Sequence, residues 1–378
     1  MEFNDNILTV ADFLAITIGI IVLFLGKRIN DAVRFLREFS IPEPVTGGLI
    51  VSVLLAVFYY STGITVQFDL EARDFLLVYF FTTIGINASL KDLLLGGKPL
   101  AILLVITIGY MVIQNLTGIS IASLLGQPSQ VGLLGGTVSL IGGHGTAIAW
   151  APKFAEEYGI SSAMEIGIAS ATFGLILASL MGGPIAKFLI NRHQLSPQTS
   201  GALDVGARDE EKPAGITNLD FLDAILAIHI SIVLGIFLNK VVENFGLQLP
   251  LFVTCLFAGI LITNILPATF PRITKTPWPS RKPAIALIAD MSLGTFLAMS
   301  LMSMQLWALV DLSGPIFAIL LEQFVIAIMI IIFIVFPAMG RDYDASVVCA
   351  GVGGISLCAT TSAIAIMSAV TLSFCQSL

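Results

Sequence analysis

Charge is scarce in this sequence. Only 11% of its 378 residues are Asp, Glu, Lys or Arg, against about 25% in a soluble globular domain. With 56% hydrophobic residues and a mean hydropathy of +0.96, that shortage excludes an ordinary soluble fold and predicts an integral membrane protein. The apolar runs are long and continuous, without the dyad alternation of an outer-membrane barrel, so helices are the expected spanning element. Cysteine is equally sparse. Cys255, Cys349, Cys358 and Cys375 show no metal-ligand spacing and are expected to pack as small apolar residues. No stretch is basic enough to predict a nucleic-acid partner. The opening MEFNDN lacks the basic n-region and cleavage site of a signal peptide, so the first apolar run is expected to be a retained span. Histidine occurs only three times, and no second His or acid lies at ligand spacing beside His144. An intramembrane metal enzyme is therefore not supported, and no acid or nucleophile pair supports any other enzyme. No span centre carries Lys or Arg either. An anionic substrate would then rely on helix N-termini, hydroxyls and bound cations, which favours coupling to sodium.

What the sequence has in abundance is spans. Nine long apolar segments cover about 7–25, 43–62, 72–89, 98–122, 163–188, 219–239, 249–266, 284–306 and 314–339, with ends uncertain by about 2–4 residues. Two further apolar segments, 129–157 and 345–371, are rich in Gly, Ser and Thr at their middles. Such segments suit re-entrant hairpins or broken helices, tolerated where protein or water satisfies the freed backbone. The stretch 191–216 is a polar linker punctuated by Pro and Gly. With the N-terminus outside, fifteen of the 18 basic residues fall in cytoplasmic loops, leaving Arg73, Lys153 and Lys240 outside. That bias supports this sidedness. Hairpin 129–157 then enters from outside and hairpin 345–371 from the cytoplasm.

The two halves resemble each other. IPEPVTGGLIVSVL from Ile41 parallels QLPLFVTCLFAGILIT from Gln248, and Gly85 in FTTIGINASL parallels Gly294 in MSLGTFLAMS. Each unit is read as five spans plus a hairpin, and five is odd, so the second copy is inverted. Inverted repeats with discontinuous helices are a secondary-transporter architecture. The expected organisation is a first repeat over 1–190, a cytoplasmic linker over 191–216 and a second repeat over 217–378. The counterpart of AMEIGIASATFGLILASLMGGPIA would begin near residue 378, so the last span of the second repeat is expected to be missing from this chain.

The first hairpin carries SLIGGHGTAIAW, Ser139 to Trp150. Gly142, Gly143 and Gly145 permit close backbone approach and unusual dihedrals. A break there frees N–H groups at a helix start, which bind carboxylates, and carbonyls at a helix end, which bind sodium. Ser139 and Thr146 add hydroxyl ligands. The competing reading is a glycine-rich packing surface, but Gly-Gly-His-Gly-Thr is too polar and too broken for simple packing. His144 reads as a structural or gating residue rather than a proton relay, since no acid accompanies it. In the second hairpin, GVGGISLCATTSAIAIM, the hydroxyls of Thr360, Thr361 and Ser362 are candidate ligands, with bonding back to the helix as the competing role. Asp290 either serves an ion or pairs with Arg281 or Lys282. Glu322 reads either as an ion site or as a subunit or lipid-edge contact. Asn87, Thr82, Thr83, Ser292, Thr295 and Gln323 are further intramembrane polar groups, expected mostly to stitch helices together. Asn87 and Thr295, with Ala359 beside Thr360, are also carried as sodium-binding or gating candidates.

On IPEPVTGGL, FFTTIGINASL, GGHGTAIAW, LPLFVTCLFAGILITN, TFLAMSLMSMQLW and GRDYDASV the chain resembles the sodium/glutamate symporter family, from its first span to about Thr371. The resemblance implies an all-α membrane protein and sodium-coupled uptake of L-glutamate by alternating access. It also implies a homodimer in a bacterial inner membrane, with a scaffold domain and a moving, hairpin-bearing transport domain. The chain departs from the family pattern at Ile141 and Ala147 in the first hairpin and at Ser356, Cys358, Thr361 and Ile366 in the second. The expected function is thus a sodium/glutamate symporter with Na+ as coupling ion, no other cofactor, and the lipid bilayer as its surroundings. The alternatives are a symporter of another small carboxylate or a degenerate, non-transporting homologue.

Overall fold

The computed structural model describes residues 2–4, 6–34, 36, 41–195, 216–247, 249–265, 278, 283–309, 312–357 and 367. The order of elements is β1 (Glu2–Asn4), β2 (Ile7–Val10), α1 (Asp12–Ala32), α2 (Glu43–Thr62), β3 (Thr65–Phe68) and α3 (Glu71–Asn87). Next come the short α4 (Leu90–Leu95), α5 (Gly97–Leu124), α6 (Ser129–Leu133), α7 (Gly143–Tyr158) and α8 (Ala163–His193). The second half supplies α9 (Asn218–Asn244), α10 (Leu251–Ile265), α11 (Pro283–Met302), α12 (Ser313–Ala338) and α13 (Tyr343–Leu357). Among the described residues, six helices are long and apolar enough to cross a membrane: α2, α5, α8, α9, α11 and α12.

The expectation of a purely helical chain needs one correction. Residues 7–10 were expected to begin the first span, and they form a strand instead. β2 pairs antiparallel with β1 and parallel with β3, with Ile7 opposite Thr65 and Val10 opposite Phe68. The run ILTV holds three β-branched residues, whose stiff side chains favour a strand. The helix starts only at Asp12, whose carboxylate accepts from Ala72 N–H at 2.8 Å.

Local chemistry fixes several helix ends. Thr217 and Asp220 form a reciprocal capping box at the start of α9. Helices α2 and α10 each follow a proline, Pro42 and Pro250, and each entry is held by an asparagine of the preceding helix. Asn30 Nδ2 donates to Ile41 O at 2.7 Å, and Asn239 Nδ2 donates to Leu249 O at 2.9 Å. The same device thus recurs at equivalent places in IPEPVT and LPLFVT. Near the end of α12 the ladder widens into a π turn over Ile331–Val335 just before Pro337, which has no N–H to give.

The chain divides into two compact units, and each takes segments from both halves of the sequence. One comprises residues 1–27, 47–96 and 208–303; the other comprises 28–46, 97–207 and 304–378. In the first unit, α3 and α10 cross at Gly85 and Gly259. A Cβ on Gly85 would sit 2.2 Å from Leu256 O, so the two backbones touch. Such contact by small residues drives helix association in lipid, where burial of apolar surface does not. Thr263 ties the crossing, donating to Ile86 O and accepting from Trp278 Nε1, each at 2.9 Å. In the second unit, α8 packs against α7 and α13, and α5 lies against α6 and α12. Its core is built on Leu134, Leu140, Ile166, Leu189, Ile319 and Ile331.

Candidate functional site

Residues 129–158 form a broken helix pair. α6 runs only from Ser129 to Leu133 and passes into a π turn over Leu134–Val138. Within it Gly136 leaves helical space, with φ −106° and ψ −131°. Four residues of turn follow, and α7 then begins at Gly143 with φ +70°, a left-handed conformation that costs any other residue about 1–2 kcal/mol. Gly142 is needed for a different reason. Its backbone is ordinary, but a Cβ there would lie 2.3 Å from Val138 O and 2.6 Å from Thr146 Cβ. The turn holds itself together through Leu140 N–H to Gly136 O at 2.9 Å and Gly142 N–H to Thr137 O at 3.0 Å.

Of the residues singled out in the sequence, Ser139, Gly142, Gly143, His144, Gly145 and Thr146 lie together at this break. Ser139 is fully buried, and its Oγ has no hydrogen-bond partner. Gly145 and Thr146 stand half-buried in the first turn of α7. His144 is buried and its Nε2 lies 3.0 Å from Thr172 Oγ1 on α8. Thr172 spends its one proton on Ile168 O at 2.9 Å, so the network assigns the imidazole proton to Nε2. His144 therefore ties α7 to α8. Asn87 and Thr295 belong to the other unit and are not grouped with this break. There Thr82 and Thr83 donate to carbonyls of their own helix, at 2.6 and 2.7 Å. Ala359, Thr360, Thr361 and Ser362 lie outside the described residues, as do Arg281 and Lys282, the expected partners of Asp290.

Several polar residues at the break were not singled out from the sequence. Ser170 on α8 is fully buried with an unpartnered Oγ, like Ser139. Gly167, one turn earlier, lets α8 approach: a Cβ there would stand 3.1 Å from Ala147 Cβ and 3.5 Å from Ser139 Oγ. Gln114 of α5 braces the lead-in to the turn. Its Oε1 accepts from Thr137 Oγ1 at 2.9 Å, and its Nε2 donates to Tyr110 Oη and to Ser356 O of α13. The signal available for it was the polar run QNLT inside the apolar stretch 101–124. A pair of buried hydroxyls without partners, beside an irregular backbone braced from three helices, can offer oxygen ligands to a cation and N–H groups to an anion. Among the described residues no cluster of three His, Cys, Asp or Glu could hold a metal ion.

The family model for sodium/glutamate symporters matches residues 8–376. The chain belongs to the sodium/glutamate symporter family. It is 39% identical to the sodium/glutamate symporter of Escherichia coli over 373 residues, covering 96% of this chain and 89% of that one. The Shigella flexneri protein of the same name matches to the same extent. The sodium/glutamate symporter of Haemophilus influenzae is 37% identical over 370 residues, 97% of this chain and 90% of that one. No solved structure gives a significant match. With six helices fit to span a bilayer, this member of the symporter family is a multi-pass membrane protein.

Proposed function

We propose that this chain couples sodium entry to the uptake of L-glutamate by alternating access. The names of its relatives support sodium and glutamate as the transported pair. The observation that carries the site assignment is the broken segment 134–143, with Ser139 Oγ and Ser170 Oγ buried and unpartnered beside it. The free N–H groups at the start of α7 are placed to take a substrate carboxylate, since backbone donors and helix dipole both favour negative charge there. The carbonyls of the π turn, with the two serine hydroxyls, are placed to take sodium, and the ion's charge offsets the substrate's. Gly142 lets the turn close against Val138 O, Gly143 takes the left-handed conformation at the start of α7, and the His144–Thr172 bond holds its orientation.

The finer parts of the reading follow the inverted-repeat organisation. The two repeats, 1–190 and 217–378, are joined by a cytoplasmic linker. The break is the tip of a hairpin entered from outside, facing a second tip that includes Ala359, Thr360, Thr361 and Ser362. Asn87 and Thr295 serve as sodium or gating groups. The unit holding the broken helix moves in an elevator-like cycle within a homodimer in a bacterial inner membrane, with the N-terminus outside.

The test is uptake of labelled L-glutamate by proteoliposomes under an inward sodium gradient. The expected result is uptake that vanishes when potassium replaces sodium and that other small carboxylates compete for poorly. Sodium-independent uptake, or binding without flux, overturns the proposal.

A further inference from the structure

Tyr110, Gln114 and Thr117 share one face of α5, at the i, i+4, i+7 spacing of a helical stripe. That face meets Glu322 and Gln323 of α12. Gln323 Nε2 donates to Gln114 O at 2.8 Å and reaches Thr117 Oγ1 at 3.4 Å. Thr117 also lies against the Glu322 carboxyl, and Tyr110 is within its electrostatic reach. Both carboxyl oxygens of Glu322 are buried without a hydrogen-bond partner. Gln323 is fully buried, and its Oε1 is in the same condition.

Among the described residues no charged donor lies against this group, and the hydroxyl set against it is that of Thr117. The single Thr117 proton is shared between Ile113 O at 2.9 Å and Gln114 O at 3.2 Å, and neither carboxyl oxygen of Glu322 has a hydrogen bond within normal distance. The Gln323 amide cannot be reversed to help, because its carbonyl would then oppose Gln114 O. Tyr110 is the titratable neighbour on α5. Helices α8 and α13 and the π turn Leu134–Val138 also pack on α12, and among the described residues none of them adds a charged group to the setting of Glu322. Described ion pairs lie elsewhere, as in Arg73–Asp74 and Lys153–Glu157. A buried carboxylate with no hydrogen-bond partner and no cationic partner among the described residues calls for a positive charge.

We propose that Glu322, with the Gln323 carbonyl as its neighbouring acceptor, binds a monovalent cation, sodium or a proton, at a site separate from the broken tip of α6 and α7. The assignment does not depend on glutamate being the substrate. It adds a charge-carrying group to the α5–α12 pair, and cation occupancy there stabilises the packing of those helices.

The experiment uses the full chain in detergent without glutamate and reads thermal unfolding of wild type and Glu322→Gln. A sodium site predicts that wild-type Tm rises by about 3 °C as NaCl replaces choline chloride at fixed pH, from about 1 to about 300 mM. A proton site predicts a similar rise in choline chloride as the pH is lowered from about 9 to about 6. In either case Glu322→Gln melts at or above the cation-loaded wild type and loses that increment. Sodium and pH responses identical in the two proteins overturn the proposal, as does the absence of both from wild type. Should Glu322→Gln not fold, Glu322→Asp takes its place: a half-maximal cation concentration shifted by about tenfold supports the site, and an unshifted one overturns it. Failure here leaves glutamate transport standing, and failure of glutamate transport leaves this result standing.

Discussion

Replacing Gly142 by alanine tests the broken tip without disturbing a backbone preference. Gly142 has φ −71° and ψ −25°, which alanine adopts freely. The penalty is therefore steric alone. The new methyl carbon would lie 2.3 Å from Val138 O, 2.6 Å from Thr146 Cβ and 2.7 Å from Thr146 Cγ2. Thr146 can turn its side chain away, but Val138 O belongs to the turn itself. An ordinary contact is about 3.5 Å, so the turn must open by about 1 Å. Overpacking of this kind costs about 1–3 kcal/mol, and a displacement of about 1 Å at a positioned site costs about 100-fold in function where geometry matters. The expected result is a protein that still inserts and purifies, with sodium-driven glutamate uptake reduced by at least about tenfold. Gly159→Ala is the control. Gly159 has φ +68° and open space around it, at the far end of α7. Alanine there carries backbone strain of about 1–2 kcal/mol without touching the tip, so it lowers Tm and leaves the uptake KM unchanged. Unchanged KM and Vmax in Gly142→Ala, or equal losses in both variants, would refute the assignment of the turn as the binding element.

Three other substitutions separate packing from binding. Ser139→Ala removes a buried hydroxyl that has no partner, so the ligand-free protein should become as stable or about 1 kcal/mol more stable. Its half-saturating sodium or glutamate concentration should nevertheless rise about tenfold; a loss of stability with unchanged affinity contradicts the reading. Thr172→Val takes away the acceptor of the His144 Nε2 proton, costing about 0.6–2 kcal/mol in a membrane helix pair. Its effect should be absent in a His144→Phe background, as a double-mutant cycle on Tm would show. Gly132→Ala places a methyl 2.2 Å from Gly118 O and 2.5 Å from Ile119 N. Helices α5 and α6 would have to separate, so the yield of folded protein after extraction should fall sharply, and a normal yield with normal Tm counts against that crossing.

How far the sequence could be read follows from which forces act locally. Long apolar runs set α2, α5, α8 and α9 close to the expected spans, because in a bilayer each helix must satisfy its own backbone. The strand over 7–10 escaped because periodicity cannot tell a short apolar run in a strand from the start of a helix. Its β character depends on residues 65–68, which arrive only after two helices, α1 and α2. The break was legible in part: the cluster Gly142, Gly143 and Gly145 marks its end, whereas Gly136, where the backbone first leaves helical space, was not singled out. The brace behind it was not. Gln114 looks like one polar residue in an oily helix, and only the fold brings it to Thr137 and to Ser356, which lies 242 residues away. The same holds for Ser170, whose significance rests on Gly167 admitting α8 beside Ser139.

The two compact units also interleave the two sequence halves, and physical reasons favour this for a chain with a broken helix. Irregular backbone inside a membrane must be buried in protein or line a water-filled cavity. One half supplies α5 to α8, and of these α5 and α8 flank the turn, yet Gln114 still needs a carbonyl from α13 and Gly135 lies 3.1 Å, by its missing Cβ, from Ile319 of α12. The enclosure is thus completed by helices from beyond residue 304. Glu322 and Gln323 sit on that same α12. A charge change at Glu322 therefore acts on the α5 face whose Gln114 braces the turn, through Gln323 Nε2 and Gln114 O. Occupancy of the Glu322 site and the geometry of the broken tip share one residue between them. The energetic coupling between Glu322→Gln and Gly142→Ala should accordingly differ from zero, and Gln114→Leu should abolish it.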